Sequence, residues 1–211
     1  MISLVNITAE NIHRFLDDIL EIERSSFPSP WSSKAFHQET TRRVSHFWAI
    51  MTEGVFLGYI CFWMFSGEIH LMNIAIHPRK RGNGFGSYLL AKMIEAGRSE
   101  GAETAWLEVR PSNIMARFLY KKAGFKETGC WPRYYDDTNE DAIVMSMSLL
   151  PNEENQFQTE RICATDSLLY EPEAGRGRAE SNDNQEVENG FKSSDKRFWT
   201  HWQNGFQGGA Q

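Results

Sequence analysis

The feature that most constrains the fold is a basic, glycine-rich stretch within this 211-residue chain, Arg81-Gly82-Asn83-Gly84-Phe85-Gly86. It follows an apolar segment, Ile69–Ile76, that predicts a strand, and it leads into an amphipathic segment that predicts a helix from Gly84 to Glu100. Closely spaced glycines let backbone N–H groups converge on a ligand, and a helix N-terminus adds unpaired donors and partial positive charge. This strand–turn–helix therefore predicts a phosphate or pyrophosphate site. The alternative is a Gly-rich turn that binds nothing.

The stretch matches neither of two common nucleotide-binding patterns. No Gly-Lys-Ser/Thr follows it, as a P-loop requires. Ser87 stands where the dinucleotide pattern that starts at Gly82 needs its last glycine. Arg79 and Lys80 place further positive charge beside the turn. The stretch is thus a candidate anion-binding site that belongs to neither pattern.

The surrounding segments predict an α/β architecture. The predicted strands are Ile2–Ile7, His46–Met51, Val55–Phe65, Ile69–Ile76, Thr104–Val109, Phe125–Trp131 and Ala142–Leu149. The predicted helices run through Ile12–Ile22, from Ser32 or Ser33 to Glu39, from Gly84 to Glu100, and from Ser112 to Ala123. Thr8 and Ser112 are the expected N-caps of the first and last helix. The order β-α-α-β-β-β-α-β-α-β-β predicts a mixed central sheet with helices on both faces.

The composition changes near Leu150, where we expect the domain to end. Residues 1–150 carry 16 Lys+Arg against 17 Asp+Glu, whereas residues 151–211 carry 6 against 11. Leu, Ile, Val and Phe account for 8 of those last 61 residues, too few to pack a core. We therefore expect one domain over 1–150 and an acidic, low-complexity, mostly disordered tail over 151–211.

One aromatic cluster stands out in the predicted tail. Phe198, Trp202 and Phe206 recur every four residues, beside Trp199, and would form one stripe on a short helix. The stripe either docks on its own domain, does nothing, or binds a partner, and the pattern leaves these alternatives open.

Composition also excludes several classes of protein. The net charge of -6 argues against a protein that coats nucleic acid. The longest near-continuous apolar run, Val55–Phe65, has 11 residues, well short of the ~20 that span a bilayer. No signal peptide is visible, and Cys61, Cys130 and Cys163 form no CxxC pair. We expect a cytoplasmic protein without membrane contact, and no metal, because no His or Cys set has ligand spacing.

Glu108 is the first candidate for chemistry. It lies in the segment Trp106-Leu107-Glu108-Val109-Arg110, which otherwise predicts an apolar strand. A buried carboxylate is costly unless it is paired or has a function. The structural alternatives are a solvent-facing position or a pair with Arg110.

Tyr120 is the second candidate. Ser112 is the expected cap of its helix, Asn113 is expected in the first turn, and Tyr120 follows seven residues later, so both can point to one side. An ordinary amphipathic tyrosine with a surface hydroxyl is the alternative.

Together these residues resemble the GNAT acetyltransferases. The resemblance rests on an R-x-x-G-x-G pattern at Arg81–Gly86 after Ile74-Ala75-Ile76-His77-Pro78, and on N-x-x-A-x-x-x-Y-x-x-x-G-F from Asn113 to Phe125. It covers residues 1 to about 150. Phe27-Pro28, Trp106–Arg110 and Arg133-Tyr134-Tyr135 are similar to the branch that acetylates the N-terminal alanine of a bacterial ribosomal protein. The resemblance implies the GNAT fold, with acetyl-CoA as donor.

The resemblance also implies a role for each matching residue. Glu108 would be the general base and Tyr120 the general acid. Arg133, Tyr134 and Tyr135 would lie in a loop that faces the acceptor. The pantetheine arm and pyrophosphate of acetyl-CoA would contact Ile74, Ala75, Ile76, Arg81, Gly82, Asn83, Gly84, Phe85, Gly86, Ser87 and Asn113. The tail has no counterpart and inherits no role, although it can bind an unknown partner.

The implied acceptor is the N-terminus of small-subunit ribosomal protein eighteen. Freeing a protein α-amine at pH 7 costs only about 1–1.5 kcal/mol, against about 4.6 kcal/mol for a lysine, so one carboxylate base suffices. Glu21, Glu23, Asp136 and Asp137 are candidates to receive a basic peptide, with a mixed solvated surface as the alternative. Two other functions stay open: an acetyltransferase for a small amine or lysine side chain, and a non-catalytic acetyl-CoA-binding scaffold.

Overall fold

Seven strands build one sheet in residues 1–150, the part of the chain that the computed structural model describes. The strands are β1 (Ile2–Asn6), β2 (Ser45–Thr52), β3 (Val55–Phe65), β4 (Glu68–Ile76), β5 (Thr104–Val109), β6 (Lys126–Tyr135) and β7 (Glu140–Ser148). Their order is β1-β2-β3-β4-β5-β7-β6. Every neighbouring pair is antiparallel except β4 and β5, which are parallel. The predicted mixed sheet is confirmed.

Helices cover both faces of this sheet, as predicted. They are α1 (Leu16–Ser26), α2 (Ser33–Thr41), α3 (Phe85–Ser99) and α4 (Ile114–Ala123). Successive residues of a strand point to opposite faces, and β3 follows this rule. Tyr59 and Cys61 belong to the core that contains the α1 and α2 side chains, whereas Ile60 and Phe62 belong to the core that contains the α3 side chains. The sheet is therefore the central layer of three.

The parallel contact between β4 and β5 is short. Pairing runs from Glu68 with Thr104 to Leu71 with Leu107 and stops there. Beyond it, residues 73–76 of β4 pair only with β3. The two strands thus separate in the middle of the sheet, and backbone groups on one edge of β4 have no strand beside them within residues 1–150.

The predicted N-cap at Thr8 is wrong. A 3-10 helix at Ile12–Arg14 comes first, and α1 begins only at Leu16. The Thr8 N–H donates to the side-chain oxygen of Asn11 at 2.9 Å, and no side chain caps α1.

The predicted cap of α4 is displaced by one residue. Asn113, not Ser112, is the N-cap, and its Oδ1 accepts the N–H of Ala116 at 3.2 Å. The N–H of Ser112 donates instead to the carboxylate of Glu140 at 3.0 Å. Asn113 therefore lies just before the helix, whereas the sequence predicts it inside the first turn.

The β6 strand is longer than predicted. The sequence indicates an end at Trp131, but the strand continues past Pro132 to Tyr135. Its register with β7 is irregular between Trp131 and Tyr135, and Arg133 has a left-handed φ of 51°. Arg133, Tyr134 and Tyr135 therefore lie at the end of a strand, and their predicted place in a loop is wrong.

Two expectations concern residues that the structure does not describe. The predicted tail and its aromatic stripe at Phe198, Trp199, Trp202 and Phe206 lie outside residues 1–150. Within the described range, none of the helices combines the length and apolar character that a membrane crossing requires.

Candidate active site

Glu108 lies where β4 and β5 separate. It is the first β5 residue beyond the last pair with β4, and Val144 of β7 is its partner on the other side. The carboxyl is half-buried, and burial raises its pKa to about 8. The alternative of a pair with Arg110 is excluded, because that guanidinium binds Asp137 at 2.8 Å. Glu108 is thus a carboxyl with an unusually high pKa at the point where β4 and β5 separate.

Tyr120 is buried in α4 and packs against Phe125 with ring centres 6.1 Å apart. The alternative of a surface hydroxyl is therefore wrong. Burial raises the pKa of Tyr120 well above its ordinary value. The phenol consequently keeps its proton at any physiological pH and can act as a proton donor.

Tyr134 and Tyr135 bring the end of β6 to the same site. Their rings meet edge-on with centres 5.0 Å apart. Burial raises the pKa of both tyrosines, and the nearby charge of Glu108 adds to the rise. Tyr120 also contributes to the raised pKa of Tyr135. Glu108 therefore lies near Tyr134 and Tyr135, and Tyr120 lies near Tyr135; these four residues are called the Glu108 cluster.

Arg133 takes a different position from its two neighbours. Its side chain is exposed, and its N–H donates to the carboxylate of Asp141 at 2.7 Å. The contacts of the residue are thus with β7, and the structure does not bring it into the Glu108 cluster.

The glycine-rich stretch forms the turn between β4 and α3. Gly82 and Gly84 have left-handed φ values of 78° and 83°, and no side chain caps α3. Asn83 Nδ2 donates to the carbonyl oxygens of Lys80 and Arg81 at 3.1 Å, which holds the turn in shape. The first N–H groups of a helix have no partner within it, so those of α3 are free to bind an anion.

The Arg81 side chain is directed away from this role. Its Nε donates to the carbonyl oxygen of Ile76 at 3.0 Å, and its Nη2 donates to Ser26 Oγ at 2.6 Å. Arg81 therefore joins the ends of β4 and α1, and its backbone N–H donates to the carbonyl oxygen of Pro78 at 3.4 Å.

The other predicted cofactor residues lie on β4, at the start of α3 and at the start of α4. Ile74, Ala75 and Ile76 pair with β3 on one edge only. Ser87 lines a groove of about 480 Å³ between α3 and α4, together with Lys122 and Arg98. Asn113 is exposed at the start of α4. Unpaired β4 groups, the α3 N-terminus and α4 together suit an elongated ligand with an anionic segment.

Of the four acidic residues considered for the acceptor, one is buried and a second is already paired with an arginine. Glu23 is fully buried and accepts hydrogen bonds from the Tyr59 hydroxyl, Asn73 Nδ2 and the Trp31 N–H. Asp137 is engaged by Arg110. The helical spacing of α1 could have indicated that Glu23 is buried, because Ile19, Ile22 and Glu23 lie on the same side of the helix.

Sequence reasoning also missed a second buried carboxylate, Glu39. It accepts from Trp63 Nε1 at 2.6 Å and pairs with Arg42 at 3.1 Å. Among residues 1–150, no group of three His, Cys, Asp or Glu side chains is arranged to hold a metal ion.

The comparisons with known proteins agree on one family. The model of the acetyltransferase (GNAT) family matches residues 16–125. The ribosomal protein bS18-alanine N-acetyltransferase of Haemophilus influenzae is 37% identical over 134 residues, which cover 62% of this chain and 90% of the relative. The Escherichia coli K12 enzyme of the same name is 34% identical over 130 residues, which cover 61% and 87%.

A solved structure gives the same result for the fold. The crystal structure of the ribosomal-protein-S18-alanine N-acetyltransferase from Escherichia coli matches with a TM-score of 0.64 and 29% identity. The match covers 74% of this chain and 98% of that one. This chain therefore belongs to the GNAT acetyltransferase family and is an N-acetyltransferase.

Proposed function

We propose that this chain transfers the acetyl group of acetyl-CoA to the N-terminal amine of a protein, and that the acceptor is the N-terminal alanine of ribosomal protein bS18. The observation that carries the proposal is Glu108, a half-buried carboxyl where β4 and β5 separate. The relatives from Haemophilus influenzae and Escherichia coli, whose names state this reaction, support the choice of acceptor. Ribosomal proteins are made in the cytoplasm, so we assign the activity to that compartment.

The donor is assigned to the turn and strand edge described above. Backbone N–H groups from Gly82 to Ser87 would bind the pyrophosphate at the start of α3. Backbone groups of Ile74–Ile76 would bind the pantetheine arm along the free edge of β4, and the amide nitrogen of Asn113 would contact the same arm. Acetyl-CoA supplies an activated acetyl thioester when bound.

Glu108 and Tyr120 are assigned the two proton transfers. Glu108 accepts a proton from the amine as the new N–C bond forms and the C–S bond breaks. Tyr120 gives its proton to the leaving sulfur, so the products are an amide and a free thiol. A carboxyl with a pKa of about 8 is well matched to an α-amine, whose pKa is about 7.7–8.0. A lysine amine, with a pKa near 10.4, is a poorer match.

The acceptor is assigned to the end of β6. Tyr134 and Tyr135 stand beside Glu108 and would contact the first residues of the acceptor chain. Arg133 is assigned to the outer part of the same acceptor surface, where its exposed side chain can meet a longer peptide.

A product assay by mass spectrometry tests the proposal. The full chain is mixed with acetyl-CoA and two peptides: one starts Ala-Arg and has no lysine, and the other has a blocked N-terminus and one lysine. We expect acetylation of the first peptide only. Acetylation of the second alone would assign the chain to lysine acceptors. No product on either peptide, with acetyl-CoA binding measured by calorimetry, would favour a small amine or a non-catalytic role.

Two variants serve as the matched pair for this assay. Glu108→Gln should remove most of the product while acetyl-CoA still binds. Glu103→Gln changes an exposed carboxyl just before the same strand and should leave the product unchanged.

A further inference from the structure

Arg110 immediately follows β5 and binds the turn between β6 and β7. Its Nη2 donates to both carboxylate oxygens of Asp137 at 2.8 Å, and its Nη1 donates to Thr138 Oγ1. Nη1 also lies 3.5 Å from the carboxylate of Glu140. The Arg110 side chain is only 15% exposed, so water screens these contacts weakly. One guanidinium thus contacts three residues between the end of β6 and the start of β7: Asp137, Thr138 and Glu140.

The same guanidinium lies on a tyrosine of the candidate site. Its carbon is 3.8 Å from the ring centre of Tyr135, which is a close cation–π contact. The charge of Arg110 opposes the effect of Glu108 on the pKa of that tyrosine. Tyr135 is therefore within reach of both the cation and the candidate base.

A second segment joins this cluster through Asp137. The Ser29 hydroxyl, in the loop between α1 and α2, donates to Oδ2 of Asp137 at 2.7 Å. The same carboxylate therefore binds Arg110 and a loop more than a hundred residues away in sequence. Within residues 1–150, Asp137 is the link between the guanidinium and the α1–α2 loop.

We propose that Arg110 is a positioning residue for the acceptor: it holds Tyr135 and, through Asp137, the α1–α2 loop in the arrangement that receives the acceptor amine beside Glu108. The inference rests on the proposed function and extends it to a residue that does not itself touch the reacting atoms. Its effect should fall on the acceptor and spare the donor. Among the described residues, the Arg110 side chain has no contact with the turn before α3, and the Asn113 N–H binds the backbone carbonyl of Arg110, which a substitution keeps.

The planar fork of arginine matters here as much as its charge. Lysine would keep the charge, but its single nitrogen could not bind Asp137 and Thr138 at once while a planar group lies on the Tyr135 ring. We expect Arg110→Gln to raise the KM for the Ala-Arg peptide about tenfold or more, and Arg110→Lys to raise it about threefold. The KM for acetyl-CoA should change less than about twofold in both variants. Equal changes in the two KM values, or no change in either, would overturn the positioning role.

Arg42 provides the matched control. It also lies on an aromatic ring, with its guanidinium carbon 4.8 Å from the Trp63 ring centre, and it also pairs with a carboxylate, that of Glu39. Arg42→Lys therefore removes the same kind of contact in a different cluster. We expect it to lower the free energy of unfolding without changing the KM for the peptide.

Hydrogen–deuterium exchange of the full chain separates this proposal from the proposed function. In Arg110→Lys, amide exchange should become faster in residues 27–31 and in residues 136–139, and Arg42→Lys should change neither. If the wild-type protein acetylates another amine instead, the proposed function is wrong, and the KM comparison is repeated with that amine. Unchanged exchange in both segments would overturn the role of Arg110 whatever the acceptor.

Discussion

The hydroxyl of Tyr59 donates a hydrogen bond to the carboxylate of Glu23 in the layer between the sheet and α1. The same carboxylate accepts from Asn73 Nδ2 at 3.0 Å and from the Trp31 N–H at 2.6 Å. Burial raises the pKa of Glu23, and its three donors oppose that rise. One side chain therefore ties α1, two strands and the loop after α1 together.

Removing this carboxylate should destabilise the fold strongly. Glu23→Ala leaves three donors without their acceptor, so we expect the free energy of unfolding to fall by about 3 kcal/mol. Glu21→Ala, an exposed change two residues away on the same helix, should stay within about 0.5 kcal/mol of wild type. Urea unfolding of both variants measures the difference. Equal stabilities would show that the Glu23 contacts contribute nothing net.

The rate should depend on pH through Glu108. Burial raises the pKa of this carboxyl to about 8, so the base form increases as pH rises towards 8 and is nearly complete above 9. We expect kcat with saturating peptide to rise about tenfold per pH unit below 7 and to level off above 9. Glu108→Gln should lower kcat by about 10²–10⁴ and abolish the rise. A variant that keeps the same rising limb would assign the titration to the amine.

The same pKa predicts how stability depends on pH. The folded state keeps the Glu108 proton up to about pH 8, whereas the unfolded chain loses it near pH 4.5. The unfolded state thus binds fewer protons between these values, and the free energy of unfolding falls as pH rises through that window. Because Glu108 is half-buried, we expect a loss of about 2 kcal/mol, less than the full shift implies.

Glu108→Gln should lack this loss. The variant should match wild type at pH 4.5 and exceed its free energy of unfolding at pH 9, measured by urea unfolding at both values. Parallel curves for the two proteins would mean that the Glu108 pKa is not raised.

Gly84 should matter for acetyl-CoA and little for folding. Gly84 has a φ of 83° and Gly101 a φ of 80°, and a Cβ atom would meet nothing within 4 Å at either position. Alanine at either site therefore carries a similar backbone cost of about 1 kcal/mol. Calorimetry should show weaker acetyl-CoA binding, by about tenfold, in Gly84→Ala only. Equal affinities in the two variants would remove the turn from the donor site.

The sequence predicted the layers of the fold well because each depends on local periodicity. The bounds of β5 are those predicted, and the helix after the glycine-rich turn begins and ends within a residue of its expected limits. The first residues of the helices were harder to predict. Ser112 and Asn113 are equally good caps by type, and the choice between them depends on Glu140, which takes the Ser112 N–H from 28 residues away.

The sequence also did not predict that β6 continues to Tyr135. Pro132 suggests an end, but β6 is an edge strand, where a residue without an N–H can be tolerated. The partners of Arg110 posed the same difficulty: Asp137 and Glu140 come near only once β6 and β7 have paired. The sequence therefore predicted which residues belong to the candidate site. It did not predict which of them pair, because those contacts join residues that are distant in sequence.

Because the contact between β4 and β5 is short, the stability of the enzyme should depend on whether a ligand is bound beside it. Only four residues on each strand join the two halves of the sheet, and the β4 edge beyond Leu71 offers backbone donors and acceptors to a ligand. A ligand bound along that edge would act as an added strand. At a hundredfold excess over its Kd it would stabilise the folded chain by about 2.7 kcal/mol. During turnover, the protein would therefore be most resistant to heat and proteolysis when loaded, and least resistant just after its product leaves.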